Sequence, residues 1–437
     1  MDTSEIKEYL IDFQKRQLPE LIKRELSIPK THKIKSIIGP RRAGKTYFLY
    51  QNMEQLIESG VKKENIVYLN FEDPRLIGIN FKEIKEIIKL HWQIYPSSMK
   101  DNLYVFVDEP QNIKQWEIAI RALYEEGFDI FLSGSSSKLL SKEIATSLRG
   151  RTIAYTLLPF SFREFLKLKK DKLDISRLSS KEKSLLLSFL DEYLEFGGFP
   201  EIIIEADKQN KMRILSEYFN LTVYRDLVER YNVRNTKIIK WLLKSLATSF
   251  SKEFSIHKVY QTVKSQGLKL SKNTLYVYVS MLEDSFFTFF MPKFTPSVRK
   301  GEFSINKVYL SDIGFAKLVE TTENKGRKME NVVFLELERG KQPHTEISYW
   351  KNQQQEEVDF VIKERGKVKQ LIQVCHTLED PDTKKREVRT LLKASKELKC
   401  DNLLIITENK DGSERIKGKK IEYTPLWKWL LQSPRTL

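Results

Sequence analysis

Apolar residues along positions 1–157 follow two alternating patterns. Short segments rich in apolar residues predict strands at 33–38, 66–71, 103–107, 128–132 and 152–157, and the run at 103–107 is continuously apolar. Between them, apolar residues recur at helical spacing and predict helices at 47–56, 81–92, 114–125 and 139–148, with one or two further helices at 5–26. Continuous apolar runs are typical of parallel strands buried on both faces, and strands that alternate with helices form layered α/β folds. The pattern therefore predicts an α/β domain with a three-layer parallel sheet.

The remainder of the chain shows three further patterns. Residues 158–235 have mainly helical spacing, interrupted by the break Gly197-Gly198-Phe199-Pro200, which predicts a small helical lid or a plain helical connector. Residues 236–322 predict three helices followed by two apolar runs that can pair as a hairpin, which is the order of a winged helix. Residues 323–437 alternate strands and helices again, so they predict a second α/β domain.

Composition adds a class of partner to this picture. The 437 residues carry a formal net charge of +16, which favours association with polyanions, nucleic acid before membrane surfaces. Residues 236–300 hold eleven lysines and arginines against three acidic residues, so the winged helix is the predicted DNA contact, with Lys269 and Lys272 as candidates. A winged helix that binds a protein and has a solvated basic face remains the alternative.

Targeting and redox signals are few. The two cysteines suit a reducing compartment and exclude a disulfide framework. The acidic start lacks the basic and apolar regions of a signal peptide, and no run approaches the roughly 18 apolar residues that a membrane span needs. These features predict a cytoplasmic protein without a membrane partner.

The stretch Gly39-Pro40-Arg41-Arg42-Ala43-Gly44-Lys45-Thr46 matches the phosphate-binding pattern G-x-x-x-x-G-K-[ST] and lies between a predicted strand and a predicted helix. In that context the loop N–H groups and the helix start face phosphate oxygens, while Lys45 reaches the β- and γ-phosphates and Thr46 ligates Mg²⁺. The predicted ligands are ATP and Mg²⁺. The candidate nucleotide-binding residues are Gly39, Pro40, Arg41, Arg42, Ala43, Gly44, Lys45, Thr46 and Tyr47.

Acidic residues end the apolar run at 103–107. Asp108 and Glu109 follow it, at the end of a strand where ligands collect in open α/β sheets. We expect Asp108 to hold Mg²⁺ with Thr46, through water, and Glu109 to polarise the attacking water as a catalytic residue beside Lys45.

Two further groups are candidates for contact with the nucleotide. The serine cluster after the next strand predicts a γ-phosphate sensor, with the choice between Ser133 and Ser135 open. Arg149 and Arg151 are candidate catalytic residues as an arginine finger or sensor, in cis or in trans.

On these residues the chain resembles a family of prokaryotic, often archaeal, AAA-type P-loop ATPases. The resemblance is carried by Gly39–Thr46, Asp108-Glu109, Leu148–Arg151, Gly197–Pro200 and Glu357-Val358-Asp359-Phe360. It implies ATP binding with slow hydrolysis, and a winged helix and a restriction-endonuclease-like domain after the ATPase core. The implied domains are 1–157 (ATPase core), 158–235 (helical lid), 236–322 (winged helix) and 323–437 (nuclease-like).

The nuclease-like site that the resemblance implies is incomplete. Such sites use a helix Glu, a strand Asp, and an acid-x-Lys pair on the next strand. Glu330 and Asp359 match the first two positions, whereas Gln373 and Cys375 occupy the positions of the second acid and the lysine. With one carboxylate and the lysine missing, we expect the domain to bind metal poorly and to be inactive as a nuclease.

Three functions follow from these observations. The first is an ATP-dependent switch or motor that acts on DNA through the winged helix. The second is a signalling ATPase whose C-terminal half binds proteins, and the third is an ATP-gated nuclease. ATP, DNA, and a second copy of the chain or another protein are the expected partners.

Overall fold

The structure is a computed structural model that describes residues 2–134, 148, 150–169, 177–229, 231, 233, 235–267, 270–295, 305–320 and 322–432. The chain divides into two compact units. The first is Met1–Pro159 with Asp284–Phe286, and the second is Phe160–Glu283 with Phe287–Leu437. None of the described helices combines the length and the apolar composition needed to cross a membrane.

The first unit contains a five-stranded parallel sheet. Its strands are β1 (Ile34–Ile38), β2 (Ile66–Asn70), β3 (Tyr104–Asp108), β4 (Asp129–Gly134) and β5 (Thr152–Thr156). Its helices are α1 (Thr3–Lys15), α2 (Lys45–Glu58), α3 (Glu83–Ile94) and α4 (Trp116–Glu125). The strands lie in the order β2-β3-β4-β1-β5, and every neighbouring pair is parallel. The parallel sheet predicted from the apolar runs is confirmed.

Strands β1 to β4 are buried along most of their length, whereas β5 at one side of the sheet is half-buried or exposed. All five residues of β1 are buried, and Phe106 of β3 stacks on Phe131 of β4 with ring centroids 4.4 Å apart. Phe48 and Met53 of α2 pack into the same core. Strands buried on both faces need apolar side chains at successive positions, which is why β2 and β3 are near-continuous apolar runs rather than alternating ones.

Two helix predictions in this unit need comment. Where 5–26 predicted one or two helices, the structure has only α1, and no helix follows it before β1. Leu18 and Leu21 lie in that irregular stretch and still pack against the core, which explains their apolar character. The helix predicted at 139–148 falls almost wholly outside the described residues.

The second unit begins with a helical layer. It contains α5 (Phe162–Lys169), α6 (Ser180–Phe196), α7 (Pro200–Ile204), α8 (Lys208–Leu221) and a π-helix (Thr222–Glu229). Whether residues 158–235 act as a lid stays a prediction, as does the division into four domains. Within the unit, α6 packs against α12 (Gly314–Lys317).

The Gly197-Gly198 break is explained by a close backbone approach. The carboxylate of Asp312 accepts hydrogen bonds from the N–H groups of Gly198 (2.7 Å) and Gly314 (2.9 Å). Gly197 has φ of +81°, and a Cβ there would lie 1.7 Å from the Asp312 carboxylate. No side chain fits at Gly197, so the motif is a structural join inside the second unit.

The buried carboxyl of Asp312 should make the stability of the protein depend on pH. Burial raises its pKa to about 7, although two backbone N–H donors oppose the shift. Because this folded-state pKa lies above the unfolded value, the folded state retains a proton that the unfolded state loses, and stability falls as pH rises from about 4 to 7. An amide does not titrate. We therefore expect the free energy of unfolding of Asp312→Asn, measured against that of the parent, to rise by about 2–3 kcal/mol between pH 5 and pH 8. Urea unfolding of both proteins at the two pH values measures this, and a pH-independent difference would contradict it.

A small antiparallel sheet with three helices follows. The helices are α9 (Thr236–Thr248), α10 (Ile256–Ser265) and α11 (Lys272–Asp284), and the strands are β6 (Lys252–Phe254), β7 (Thr288–Met291) and β8 (Asn306–Leu310). The sheet order is β6-β8-β7, and both pairs are antiparallel. The chain order is therefore helix, strand, two helices, and two paired strands.

A six-stranded mixed sheet completes the unit. Its strands are β9 (Thr345–Lys351), β10 (Glu357–Glu364), β11 (Lys367–Cys375), β12 (Leu403–Thr407), β13 (Gly412–Ile416) and β14 (Lys419–Pro425), in the order β13-β14-β12-β11-β10-β9. Its helices are α13 (Lys325–Gly340), α14 (Pro381–Leu398) and α15 (Leu426–Leu431). The sequence predicted α13, α14 and the four strands β9 to β12, and it missed β13 and β14.

Candidate functional site

The phosphate-binding loop turns sharply between β1 and α2. Gly39 has φ of +148°, and a Cβ there would lie 2.1 Å from the carbonyl oxygen of Leu157, so only glycine fits. Gly44 has φ of +91° and Arg42 has φ of +64°. These left-handed conformations bend the backbone around a concave loop that ends at the first turn of α2, where helix N–H groups favour an anion.

Two side chains of this loop are already held in place. The Lys45 ammonium is buried and donates to the carbonyl oxygens of Gly39 (3.2 Å) and Pro40 (2.9 Å), so it lies inside the loop. The Thr46 hydroxyl donates to Oδ2 of Asp108 at 2.6 Å. The fold therefore brings together the predicted lysine, hydroxyl and carboxylate.

Asp108 is buried at the carboxyl end of β3, where the parallel strands of the sheet end. Burial raises its pKa, repulsion from Glu109 adds to the rise, and the hydrogen bond from Thr46 opposes it. The Tyr68 hydroxyl also donates to Oδ2, at 3.2 Å. The other oxygen, Oδ1, is buried and has no hydrogen-bond partner within the described part of the chain.

Whether Mg²⁺ suits this site depends on the oxygen atoms that could bind it, among them the unpartnered Oδ1 of Asp108. Mg²⁺ prefers hard oxygen ligands and usually keeps several waters beside one or two protein ligands and the substrate phosphates. Asp108 Oδ1 and the Thr46 hydroxyl are two such oxygens beside the phosphate loop. The described residues contain no cluster of three or more His, Cys, Asp or Glu arranged for a metal. The donor set fits Mg²⁺.

Glu109 and Ser133 lie beside Asp108 on neighbouring strands. Glu109 has φ of +51°, and its N–H donates to the Ser133 carbonyl at 2.8 Å. Its carboxylate accepts a hydrogen bond from Gln111. The Ser133 hydroxyl is buried and makes no hydrogen bond of ordinary geometry in the described ranges, although it lies near enough to Asp108 to lower the pKa of that carboxyl, and Ser135 lies outside those ranges. A left-handed non-glycine residue at a ligand edge is a strained conformation that often accompanies function.

Arg151 is placed away from this edge. Its carbonyl accepts the N–H of Ile34 at the start of β1, and its guanidinium pairs with Glu125 at 3.1 Å. The phosphate loop follows the other end of β1, about four residues or roughly 13 Å further along the strand. This placement favours a role for Arg151 in trans over one in cis, and its role as a finger or sensor stays a prediction. Arg149 lies outside the described residues.

The other predicted loop residues line the loop or its rim. Ala43 is buried, Arg41 is half-buried and Arg42 is exposed. The Tyr47 ring is 56% exposed and meets the Tyr50 ring edge-on, with centroids 6.0 Å apart. Tyr47 therefore presents an aromatic surface at the rim.

Arg24 braces the loop and was missed from the sequence. Its guanidinium donates to the carbonyl oxygens of Ala43 (2.8 Å) and Leu158 (2.6 Å), and its N–H donates to Gln51 (2.6 Å). It joins the phosphate loop to the chain after β5. Nothing in the pattern distinguishes this arginine from surface arginines, because its partners are backbone atoms distant in sequence.

The predicted nuclease-like residues also come together, in the second unit. The Asp359 N–H donates to Gln373 Oε1 at 3.3 Å, and Lys307 contacts both Glu330 and Asp359. Cys375 follows on the same strand, β11. Lys307 was missed, because the position of a strand lysine inside an acidic cluster is decided only by tertiary packing.

Family models match three consecutive parts of the chain. An AAA domain matches residues 31–166, a domain of unknown function (DUF8612) matches residues 188–325, and another (DUF4143) matches residues 325–429. An uncharacterized protein of Methanocaldococcus jannaschii is 41% identical over 419 residues, covering 94% of this chain and 91% of the relative. An uncharacterized protein of Haemophilus influenzae is 32% identical over 310 residues, covering 70% of this chain and 74% of the relative.

Solved structures with partial likeness include AMPPCP-bound DnaA from Aquifex aeolicus, at 12% identity and a TM-score of 0.25 over 64% of this chain and 85% of that chain. Cdc6p from Pyrobaculum aerophilum has 10% identity and a TM-score of 0.26 over 69% of this chain and 88% of that chain. Scores this low carry no argument about function.

Proposed function

This chain belongs to the same family as the uncharacterized proteins of Methanocaldococcus jannaschii and Haemophilus influenzae, with an AAA domain at residues 31–166, and from that premise we propose that it binds and hydrolyses ATP with Mg²⁺. We propose further that it is a switch or motor that acts on DNA through a winged helix at 236–322.

One observation carries the ATPase proposal. Lys45, Thr46 and Asp108 converge beside the concave loop, with a 2.6 Å hydrogen bond between the hydroxyl and the carboxylate. Each has the chemistry that nucleotide hydrolysis needs at that place: a cation for the phosphates and two oxygens for a divalent ion. Surface charges would not be buried and aligned in this way.

The residues act in an order that their positions suggest. Lys45 would exchange its contacts with the Gly39 and Pro40 carbonyls for phosphate oxygens, and Thr46 and Asp108 would hold Mg²⁺. Mg²⁺, when bound, neutralises charge that develops on the phosphates. Glu109, the residue that follows Asp108, accepts a proton from the attacking water. Ser133 is the sensor that we favour, because its hydroxyl is buried beside Asp108 at the end of β4.

Arg151 supports a proposal about assembly. Because its guanidinium lies at the amino edge of the sheet, it does not reach the phosphate loop of its own chain. We propose that it acts, with Arg149, on the nucleotide of a neighbouring copy, as an arginine finger in trans. Hydrolysis would then depend on protein concentration.

The DNA proposal rests on element order and charge. Helices α9, α10 and α11 with the sheet β6-β8-β7 have the order and strand pairing of a winged helix. Lys264 at the end of α10 and Lys272 at the start of α11 are exposed, whereas Lys269 lies outside the described residues. Exposed lysines at the junction of the two helices suit contacts with phosphates.

A protein partner is a second candidate for the same helix. Tyr276 and Val277 on α11 are 48% and 50% exposed, and adjacent apolar side chains on a surface helix favour a protein contact. This observation supports the signalling ATPase, in which the C-terminal half recruits another protein. An active, ATP-gated nuclease has no such support, because Gln373 and Cys375 lack the required acid and amine.

The experiment that separates these functions is ATP hydrolysis with and without duplex DNA. We measure phosphate release at several DNA concentrations, and DNA binding by anisotropy at several salt concentrations. Stimulation by DNA and salt-dependent binding support the motor or switch. Basal hydrolysis that DNA leaves unchanged, without binding, favours the signalling ATPase.

A further inference from the structure

A buried ammonium lies at the centre of the nuclease-like cluster. Lys307 on β8 is 2% exposed, and its Nζ lies 2.9 Å from Glu330 Oε1, 2.6 Å from Glu357 Oε1 and 3.1 Å from Asp359 Oδ1. The three carboxylates come from α13 and β10. A single lysine therefore receives ion pairs from three acids of the neighbouring domain.

The environment keeps this ammonium charged. Burial alone would lower the pKa of Lys307, but the carboxylates, Glu330 foremost, raise it well above its ordinary value. Tyr309, two residues further along β8, donates to Glu330 Oε1 at 2.7 Å. The Tyr349 ring faces the ammonium at 5.6 Å. The cluster is thus a cation site whose cation is part of the chain.

The remaining positions of the nuclease pattern are committed to other contacts. The Gln373 amide accepts from the Asp359 N–H and donates to Glu387 at 2.8 Å. Burial raises the pKa of Cys375 to about 11, so it is a neutral thiol that donates to the Thr377 carbonyl at 3.0 Å. Neither group supplies a ligand charge or an amine.

A metal ion does not fit beside this ammonium. Mg²⁺ and Ca²⁺ bind oxygens at about 2.0–2.6 Å, so an ion held by these carboxylates would coincide with Nζ or lie within a few ångströms of it. At that separation, in a buried site, the repulsion between the two cations is large. The residues present therefore disagree with the metal that a nuclease-like fold implies.

We propose that the Lys307 ammonium takes the place of the metal, and that the C-terminal domain is a metal-free clasp that fastens β8 to β10 and α13. Other contacts fasten the same region. The Tyr349 hydroxyl donates to the Ile305 carbonyl (2.5 Å) and to Glu253 (3.0 Å), and Lys351 pairs with Glu253 at 2.9 Å. None of these residues belongs to the ATPase site, so a failed test of the clasp would leave the proposed ATPase activity untouched.

The test is thermal unfolding of the full, nucleotide-free chain with EDTA or Mn²⁺. We expect Lys307→Met, which keeps the length of the side chain, to lower Tm by on the order of 10 °C, because it leaves buried carboxylates without their partner. Mn²⁺ should restore much of that loss. Mn²⁺ should not restore stability in the double variant Lys307→Met with Asp359→Asn, because that variant lacks one of the carboxylate ligands.

Lys328→Met is the matched control. Lys328 is equally buried and pairs with two acids, Glu320 (3.1 Å) and Glu323 (3.2 Å), outside the nuclease-like pattern. It should lose stability without a response to Mn²⁺. If Lys307→Met responds to Mn²⁺ no more than Lys328→Met does, the proposal is wrong.

The parent protein provides a measurement that does not depend on the variant folding. Any shift that Mn²⁺ causes in the Tm of the parent should also appear in Asp359→Asn. The parent should not cut linear or circular DNA with Mg²⁺ or Mn²⁺ and ATP. A shift that requires Asp359, or cutting that Asp359→Ala removes, would overturn the proposal and restore the gated nuclease.

Discussion

Replacing Glu109 with glutamine is expected to leave ATP binding intact and to lower ATP turnover by about 100-fold or more. The amide keeps the size and hydrogen-bonding shape of the side chain but cannot accept a proton from water. The N–H bond to Ser133 holds the strained backbone at Glu109, with φ of +51°, and the amide oxygen of a glutamine can still accept the hydrogen bond from Gln111. Binding and turnover should therefore separate.

Lys45→Ala is expected to behave differently, because it removes the charge that faces the β- and γ-phosphates. It should abolish ATP binding or nearly so, and hydrolysis with it. Mg²⁺-ATP should raise the Tm of the parent and of Glu109→Gln by similar amounts, but not that of Lys45→Ala. Phosphate release under saturating ATP gives the turnover of each variant.

Glu72→Gln is a suitable control for Glu109→Gln. Glu72 is exposed and follows β2 at the same edge of the sheet, so the two substitutions remove equal charge from one region. Its turnover should match the parent. Hydrolysis by Glu109→Gln at the parent rate would remove Glu109 from the mechanism while leaving the binding site assigned.

The first unit was largely predictable because its chemistry and its burial are local in sequence. Five apolar runs correspond to the five parallel strands, and the loop pattern fixes Lys45 and Thr46 beside β1. Asp108 follows from its position after a buried strand. What the pattern could not supply is the position of β4 in the sheet, between β1 and β3, since sheet order depends on crossovers rather than on spacing.

The missed features all depend on long-range contacts or on exposure. Arg24 binds backbone carbonyls 19 and 134 residues away, and Lys307 contacts acids 23 to 52 residues away. Strand β13 is largely exposed, so it lacks the apolar positions by which strands are recognised. The place of Arg151 at the amino ends of the strands follows from strand direction, because Arg151 directly precedes β5.

Changing Lys264 and Lys272 together to glutamate is expected to weaken DNA binding by about tenfold or more, at every sequence tested. Both side chains are exposed, near the junction of α10 and α11, and neither is needed for the core of the three-helix region. Phosphate contacts release counterions, so the loss of two contacts should also lower the slope of log affinity against log salt by about two.

The matched control is Lys367→Glu with Lys369→Glu. These lysines are also exposed, but they lie on β11 of the six-stranded sheet, so the pair changes the net charge by the same amount elsewhere. Anisotropy with duplexes of several sequences, each at several salt concentrations, compares the two double variants. If both lower affinity equally, net charge accounts for binding, and if neither does, α11 with its exposed Tyr276 and Val277 is a surface for a protein.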